Sequence, residues 1–101
     1  MTQFIDLALD TEVPGGAGYL RYSHETAVRQ DALDEGYTVA VDLDALGRPV
    51  GIELTTLDAY SYELLKRAGE KYGLAVPDAK ALAKARRRSR CSRSLAGRRS
   101  S

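Results

Sequence analysis

The segment from Val39 to Leu54 constrains the fold more than any other part of the chain. It reads VAVDLDALGRPVGIEL, with two short runs rich in β-branched residues on either side of a turn. This arrangement is typical of a β-hairpin. Asp44 favours the turn through local hydrogen bonds to the backbone, and Gly47 adopts a positive φ without steric cost. The sequence therefore predicts a hairpin as the centre of the fold.

The hydrophobic pattern of this hairpin also predicts its register. A loop of about four residues places Val41 opposite Val50 and Val39 opposite Ile52. These four side chains then share the buried face. The other face receives the alternate residues of both strands, which are Ala40, Asp42, Gly51 and Glu53.

The hairpin resembles the YuzE-like family of small bacterial proteins of unknown function. The family pattern is Asp-x-Asp, a Gly turn and a Val-Gly-Ile-Glu strand, matched here by Asp42, Asp44, Gly47, Val50, Gly51, Ile52 and Glu53. Upstream, Asp10 and the segment 18–22 lie where the family has an acidic residue and an aromatic strand. Leu9 replaces the expected Tyr, however, and residues 13–16 disturb the spacing. The resemblance covers about residues 3–58. It implies a fold more than a function, and only loosely that this protein is itself an antitoxin-like partner of a small toxin.

The remaining patterns predict an α+β fold. We expect a mostly antiparallel four-stranded β-meander with one C-terminal helix packed on it, followed by a short basic helix and a disordered tail. A fifth short strand around residues 26–29 is an open alternative. The predicted strands and the main helix cover Gln3–Leu9, Ala17–Ser23, Tyr37–Asp44, Val50–Leu54 and Leu57–Tyr72. Thr55 and Thr56 are the expected caps of this helix, whose predicted apolar stripe includes Tyr60. The domain should span residues 1–75, and the basic extension residues 76–101.

Length and composition predict a cytoplasmic protein. A chain of 101 residues allows one domain with a small core. The first ten residues lack the charged and apolar regions of a signal peptide. No apolar run approaches the roughly 20 residues that span a membrane. A small core also favours self-association as an additional source of stability.

Few residues suit catalysis or metal binding. His24 is the only histidine and Cys91 the only cysteine, so no internal disulfide or cysteine-rich zinc site is expected. Asp42 and Glu53 share one face, where two carboxylates can hold a metal, divide acid and base roles, or act only structurally. We favour the structural role. The sequence thus predicts no catalytic residue, metal site or cofactor.

The charges divide the chain into two parts. Residues 1–78 hold all fourteen acidic and six basic residues, a net charge of −8, whereas residues 79–101 hold nine basic residues and no acid. The basic part predicts weak nucleic-acid binding through Lys80, Lys84, Arg86, Arg87, Arg88, Arg90 and Arg93. Two alternatives remain, namely that it contacts its own acidic body or has no partner. For the body, the function predicted first is a non-enzymatic interaction module.

Overall fold

Five antiparallel strands form a single sheet in the computed structural model, which describes residues 1–10 and 17–84. The elements are β1 (Asp6–Asp10), β2 (Ala17–Arg21), β3 (Arg29–Ala32), β4 (Val39–Leu43), β5 (Pro49–Leu54) and α1 (Ala59–Tyr72). A second helical segment begins at residue 79 and continues to residue 84. The α+β class and the antiparallel sheet are therefore confirmed.

The strand number and the meander were wrong. The sheet has five strands in the order β1-β2-β5-β4-β3, so the chain crosses from β2 to the far edge before it returns. β5 is buried at four of its six positions, and such a strand is most stable between two neighbours. β3 reads RQDA and lies at an edge, where a polar strand is tolerated. It begins at Arg29, where the alternative short strand of the prediction ended.

The hairpin forms, but its register differs from the predicted one by two residues. Val41 pairs with Ile52 and Val39 with Leu54, and a bulge between Asp42 and Leu43 leaves Val50 as an extra residue. A shift of two residues preserves the face on which each side chain lies. The predicted burial of Val39, Val41, Val50 and Ile52 is accordingly confirmed.

α1 packs on the buried face of the sheet, mainly against β4 and β5. The helix begins after Asp58, whose side chain accepts a hydrogen bond from the Ser61 backbone N–H at 2.9 Å. Asp58 therefore takes the capping role predicted for the two preceding threonines. Tyr60 is 56% exposed, so its predicted place in the buried apolar stripe of the helix was wrong. The helix ends at Gly73, which adopts φ 66° as expected of a C-terminal cap.

Segments before and after the sheet close the core. Thr2 pairs with the chain after α1. Its N–H donates a hydrogen bond to Gly73 O, and its carbonyl oxygen accepts one from the Ala75 N–H. Further along, Leu82 is almost fully buried in the core, although it follows the predicted boundary at residue 75. The helical segment 79–84 is thus part of the packed body. The predicted disordered tail lies beyond residue 84, outside the described residues.

Candidate functional site

The face of the sheet opposite α1, here called the open face, is built from two rows of side chains. Cross-strand partners define the rows, because paired residues point to the same side of a sheet. One row contains Ala8, Tyr19, Glu53, Ala40 and Ala32. The other contains Asp6, Arg21, Gly51, Asp42 and Gln30. This face combines small residues with a tyrosine and charged groups. Its alanines have short side chains, so the surface around the polar groups is flat.

Tyr19 lies across the open face above Gly51. A Cβ atom at position 51 would overlap the phenol ring, so only glycine leaves room for this side chain. The Tyr19 hydroxyl donates a hydrogen bond of 2.9 Å to Oδ2 of Asp42 on β4. The glycine therefore allows one aromatic side chain to connect three strands.

Gln30 completes the network from the edge strand β3. Its Nε2 donates to Oδ1 of Asp42 at 2.9 Å and to Oε2 of Glu53 at 3.0 Å. One amide group thus holds two carboxylates together, which reduces their mutual repulsion. Arg21 places its guanidinium carbon 5.5 Å from the Tyr19 ring centroid, within the range of a cation–π contact.

The network keeps the tyrosine neutral to a higher pH than usual. Burial, then the hydrogen bond to Asp42, raises the pKa of Tyr19 to about 12. The neutral phenol acts as a hydrogen-bond donor to the carboxylate. Asp6, Asp42 and Glu53 outnumber Arg21, so the open face has a net negative charge. This surface suits a partner with basic groups.

A shallow depression of about 460 Å³ adjoins the open face. Tyr19 and Glu53 form one side of it, and Ala8, Ala17 and Thr55 contribute to the rest. It extends the surface available to a partner beyond the polar network.

The other residues considered from the sequence do not join this site. His24 is exposed on the segment that follows β2. Within residues 1–10 and 17–84, no group of three or more His, Cys, Asp or Glu side chains could hold a metal ion. The same part of the chain contains no helix long and apolar enough to cross a membrane. Asp42 and Glu53 do share one face, as predicted, and the side-chain amide of Gln30 lies between them.

The predicted basic site is only partly described. Lys80 and Lys84 are exposed on the helical segment 79–84, whereas Leu82 between them is buried. The two lysines are one helical turn apart and lie on its outer side. The arginines of the prediction, Arg86, Arg87, Arg88, Arg90 and Arg93, lie outside the described residues, as does Cys91.

The sequence prediction missed Gln30. Its segment reads as an acidic, polar stretch, and only the pairing of β3 with β4 brings Gln30 beside Asp42. Gly51 is the signal that was available, since a glycine inside a strand often marks a close approach of another group. In comparisons with known proteins, no family model, curated protein or solved structure matches this chain.

Proposed function

We propose that this protein is a non-enzymatic interaction module whose open face binds a basic protein partner. The observation that carries the proposal is a hydrogen-bonded network on an otherwise flat surface. Its members are Tyr19, Asp42, Gln30 and Glu53. Ordered polar side chains lose little conformational entropy when a partner binds. An amphipathic tyrosine with carboxylates around it supplies both contact area and charge.

The resemblance of the hairpin to the YuzE-like family suggests the kind of partner. On this proposal the protein is antitoxin-like and binds a small, basic, toxin-like protein in the cytoplasm. The single cysteine is in keeping with a reducing compartment, where disulfides are rare. A toxin-like reading frame next to the gene of this protein would supply the candidate partner.

Co-expression with the product of the adjacent reading frame tests the proposal. Glu53→Lys reverses a charge on the open face, and Glu63→Lys makes the same change on the exposed side of α1. We expect Glu53→Lys to abolish complex formation in size-exclusion chromatography and to remove protection from growth arrest. The Glu63→Lys variant should behave like the unchanged protein. Equal behaviour of the two variants would contradict an open-face site.

Nucleic-acid association through the basic extension is a second candidate. The observation in its favour is that Lys80 and Lys84 are both exposed on one side of a helical segment anchored by Leu82. Lysines on a continuous surface neutralise phosphates without reading base sequence. The arginines that follow in the sequence would add to this charge.

A salt series of gel shifts tests this second function. Full-length protein should bind DNA or RNA weakly, and the affinity should fall steeply as salt rises because counterions are released. Replacing Lys80 and Lys84 by Glu should weaken binding, whereas the same change at the exposed Lys66 on α1 should have a smaller effect. Binding that does not depend on salt would exclude this mechanism.

A further inference from the structure

The outer edge of β3 is open to pairing. Among the described strands β3 has one neighbour, β4, because it lies at the end of the sheet. Leu33 donates its N–H to Val39 O at 2.9 Å and so continues the β3–β4 ladder. Backbone bonds alternate along an antiparallel strand, so Arg29 and Asp31 also bond toward β4. The N–H and C=O groups of Gln30 and Ala32 then point away from the sheet.

The side chains of this edge are self-complementary. If two copies of β3 pair antiparallel about Gln30, Arg29 of each copy lies opposite Asp31 of the other. The two-fold symmetry makes this pair twice. Val28 precedes the strand and donates its N–H to Leu43 O at 2.8 Å, toward β4, so the edge available for pairing is Arg29–Ala32. A register centred on Asp31 would instead oppose two carboxylates, which is unfavourable.

Asp31 is already held in place for such a contact. Its Oδ2 accepts hydrogen bonds from the Lys71 ammonium at 2.6 Å and from the Tyr72 hydroxyl. The carboxylate therefore remains ionised at the edge of the sheet, with 28% of its side chain exposed. Arg29 is exposed two residues away on the same side of the strand.

The opposite edge of the sheet lacks this complementarity. β1 begins with Asp6 and ends with Asp10. The strand sequence, DLALD, contains no basic residue that could oppose an acidic side chain of a second copy. Charged residues at an edge discourage strand addition. The two edges thus differ in a way that favours β3.

We propose that two copies of this chain associate through β3 in an antiparallel register centred on Gln30, forming a continuous ten-stranded sheet. The two reciprocal backbone bonds between the Gln30 residues lie on either side of the two-fold axis. This inference concerns a second copy and is independent of the partner on the open face. The short strand predicts a weak, concentration-dependent dimer.

Amide hydrogen exchange of the full chain, measured beside sedimentation, locates the contact. The mass should rise from monomer to dimer with concentration, and exchange of the Gln30 amide should slow over the same range. The Asp31 amide, which bonds toward β4, should be protected at every concentration. A chain that stays monomeric, or a dimer in which the Gln30 amide exchanges equally fast at all concentrations, overturns the proposal.

A charge exchange tests the register. Arg29→Glu opposes two acidic residues in each half of the pair, and we expect roughly tenfold to hundredfold weaker association. Asp31→Lys should likewise fail to self-associate. An equal mixture of the two variants should dimerise, because the glutamate introduced in one chain then faces the lysine introduced in the other.

The Arg67→Glu variant is the control, since it makes the same charge change on the exposed side of α1. It should dimerise like the unchanged protein. Melting curves of each variant verify folding, and a folded mixture of Arg29→Glu and Asp31→Lys that remains monomeric contradicts the register.

Discussion

At the scale of single residues, Gly51 has the clearest effect on the candidate site. Its missing side chain allows Tyr19 to reach Asp42 across an intervening strand. The conformation of one residue thus depends on the absence of atoms at another. The open face would lose its aromatic centre if any side chain occupied that position.

Gly51→Ala should displace Tyr19 and break its bond to Asp42. We expect the free energy of unfolding, measured in urea, to fall by about 0.5–1.5 kcal/mol, which is the usual contribution of one hydrogen bond. The pKa of Tyr19, now about 12, should move toward the ordinary value near 10 in an NMR titration. Gly36→Ala is the control, since a Cβ there meets no atom closer than 3.7 Å. A Tyr19 pKa that stays high in Gly51→Ala would contradict this account.

Asp31 should make the stability depend on pH in the acid range. Hydrogen bonds from Lys71 and Tyr72 hold the pKa of its carboxyl below the usual value of 3.8. Because the folded-state pKa is lowered, the stabilisation is present above about pH 4 and is lost as pH falls through the folded pKa. Asp31→Asn should therefore be less stable than the unchanged protein at pH 7, and the difference should shrink as the pH falls below the ordinary carboxyl pKa of 3.8. Urea unfolding across this range measures it, and a constant difference would refute the assignment.

At the scale of secondary-structure elements, the helical segment 79–84 contributes to the core. Leu82 is 1% exposed and belongs to the same cluster as the residues of β4, β5 and α1. A short helix with one large apolar residue is marginal in isolation. Packing against the body therefore supplies the stability that the sequence of this segment lacks.

Leu82→Ala should destabilise the whole domain. Removing a fully buried leucine side chain leaves a cavity and costs about 2–5 kcal/mol. Lys80→Ala changes an exposed position of the same segment and should alter the stability by less than about 0.5 kcal/mol. Thermal and urea unfolding of both variants provide the measurement. Similar stabilities of the two variants would mean that the segment is not part of the cooperative unit.

At the scale of the whole molecule, the body and its basic extension carry opposite net charges. Residues 1–84 hold fourteen acidic and eight basic residues, a net charge of −6, and residues 85–101 add seven arginines. Opposite net charges attract within a Debye length, which is about 10 Å at 0.1 M salt. The attraction should add to the stability of the folded body at low ionic strength.

A chain ending at Lys84 tests this coupling and retains Leu82. We expect it to melt at a lower temperature than the full chain in dilute buffer. The difference should vanish near about 1 M salt, where the Debye length is about 3 Å. Equal melting temperatures in dilute buffer would show that the extension does not contact the body.

The sequence by itself determined the features that depend on near neighbours in the chain. Alternation in β4 and β5 identified the buried faces, because each strand position points to the side opposite the next. The turn at Gly47 and the helix end at Gly73 followed from their freedom to adopt positive φ, which both residues use. The hairpin and the α+β class were predictable for the same local reasons.

Only the tertiary structure decided which strands become neighbours. β3 is too polar to be recognised from its own sequence, and its pairing with β4 depends on contacts across the sheet. The place of β5 between β2 and β4 likewise follows from the burial of four of its six residues, which no local pattern specifies. Gln30 therefore meets Asp42 and Glu53, and Leu82 meets the core, only when segments distant in sequence come together. These contacts were not predictable because pairing energy depends on the partner strand, whereas the sequence pattern records only each strand's own faces.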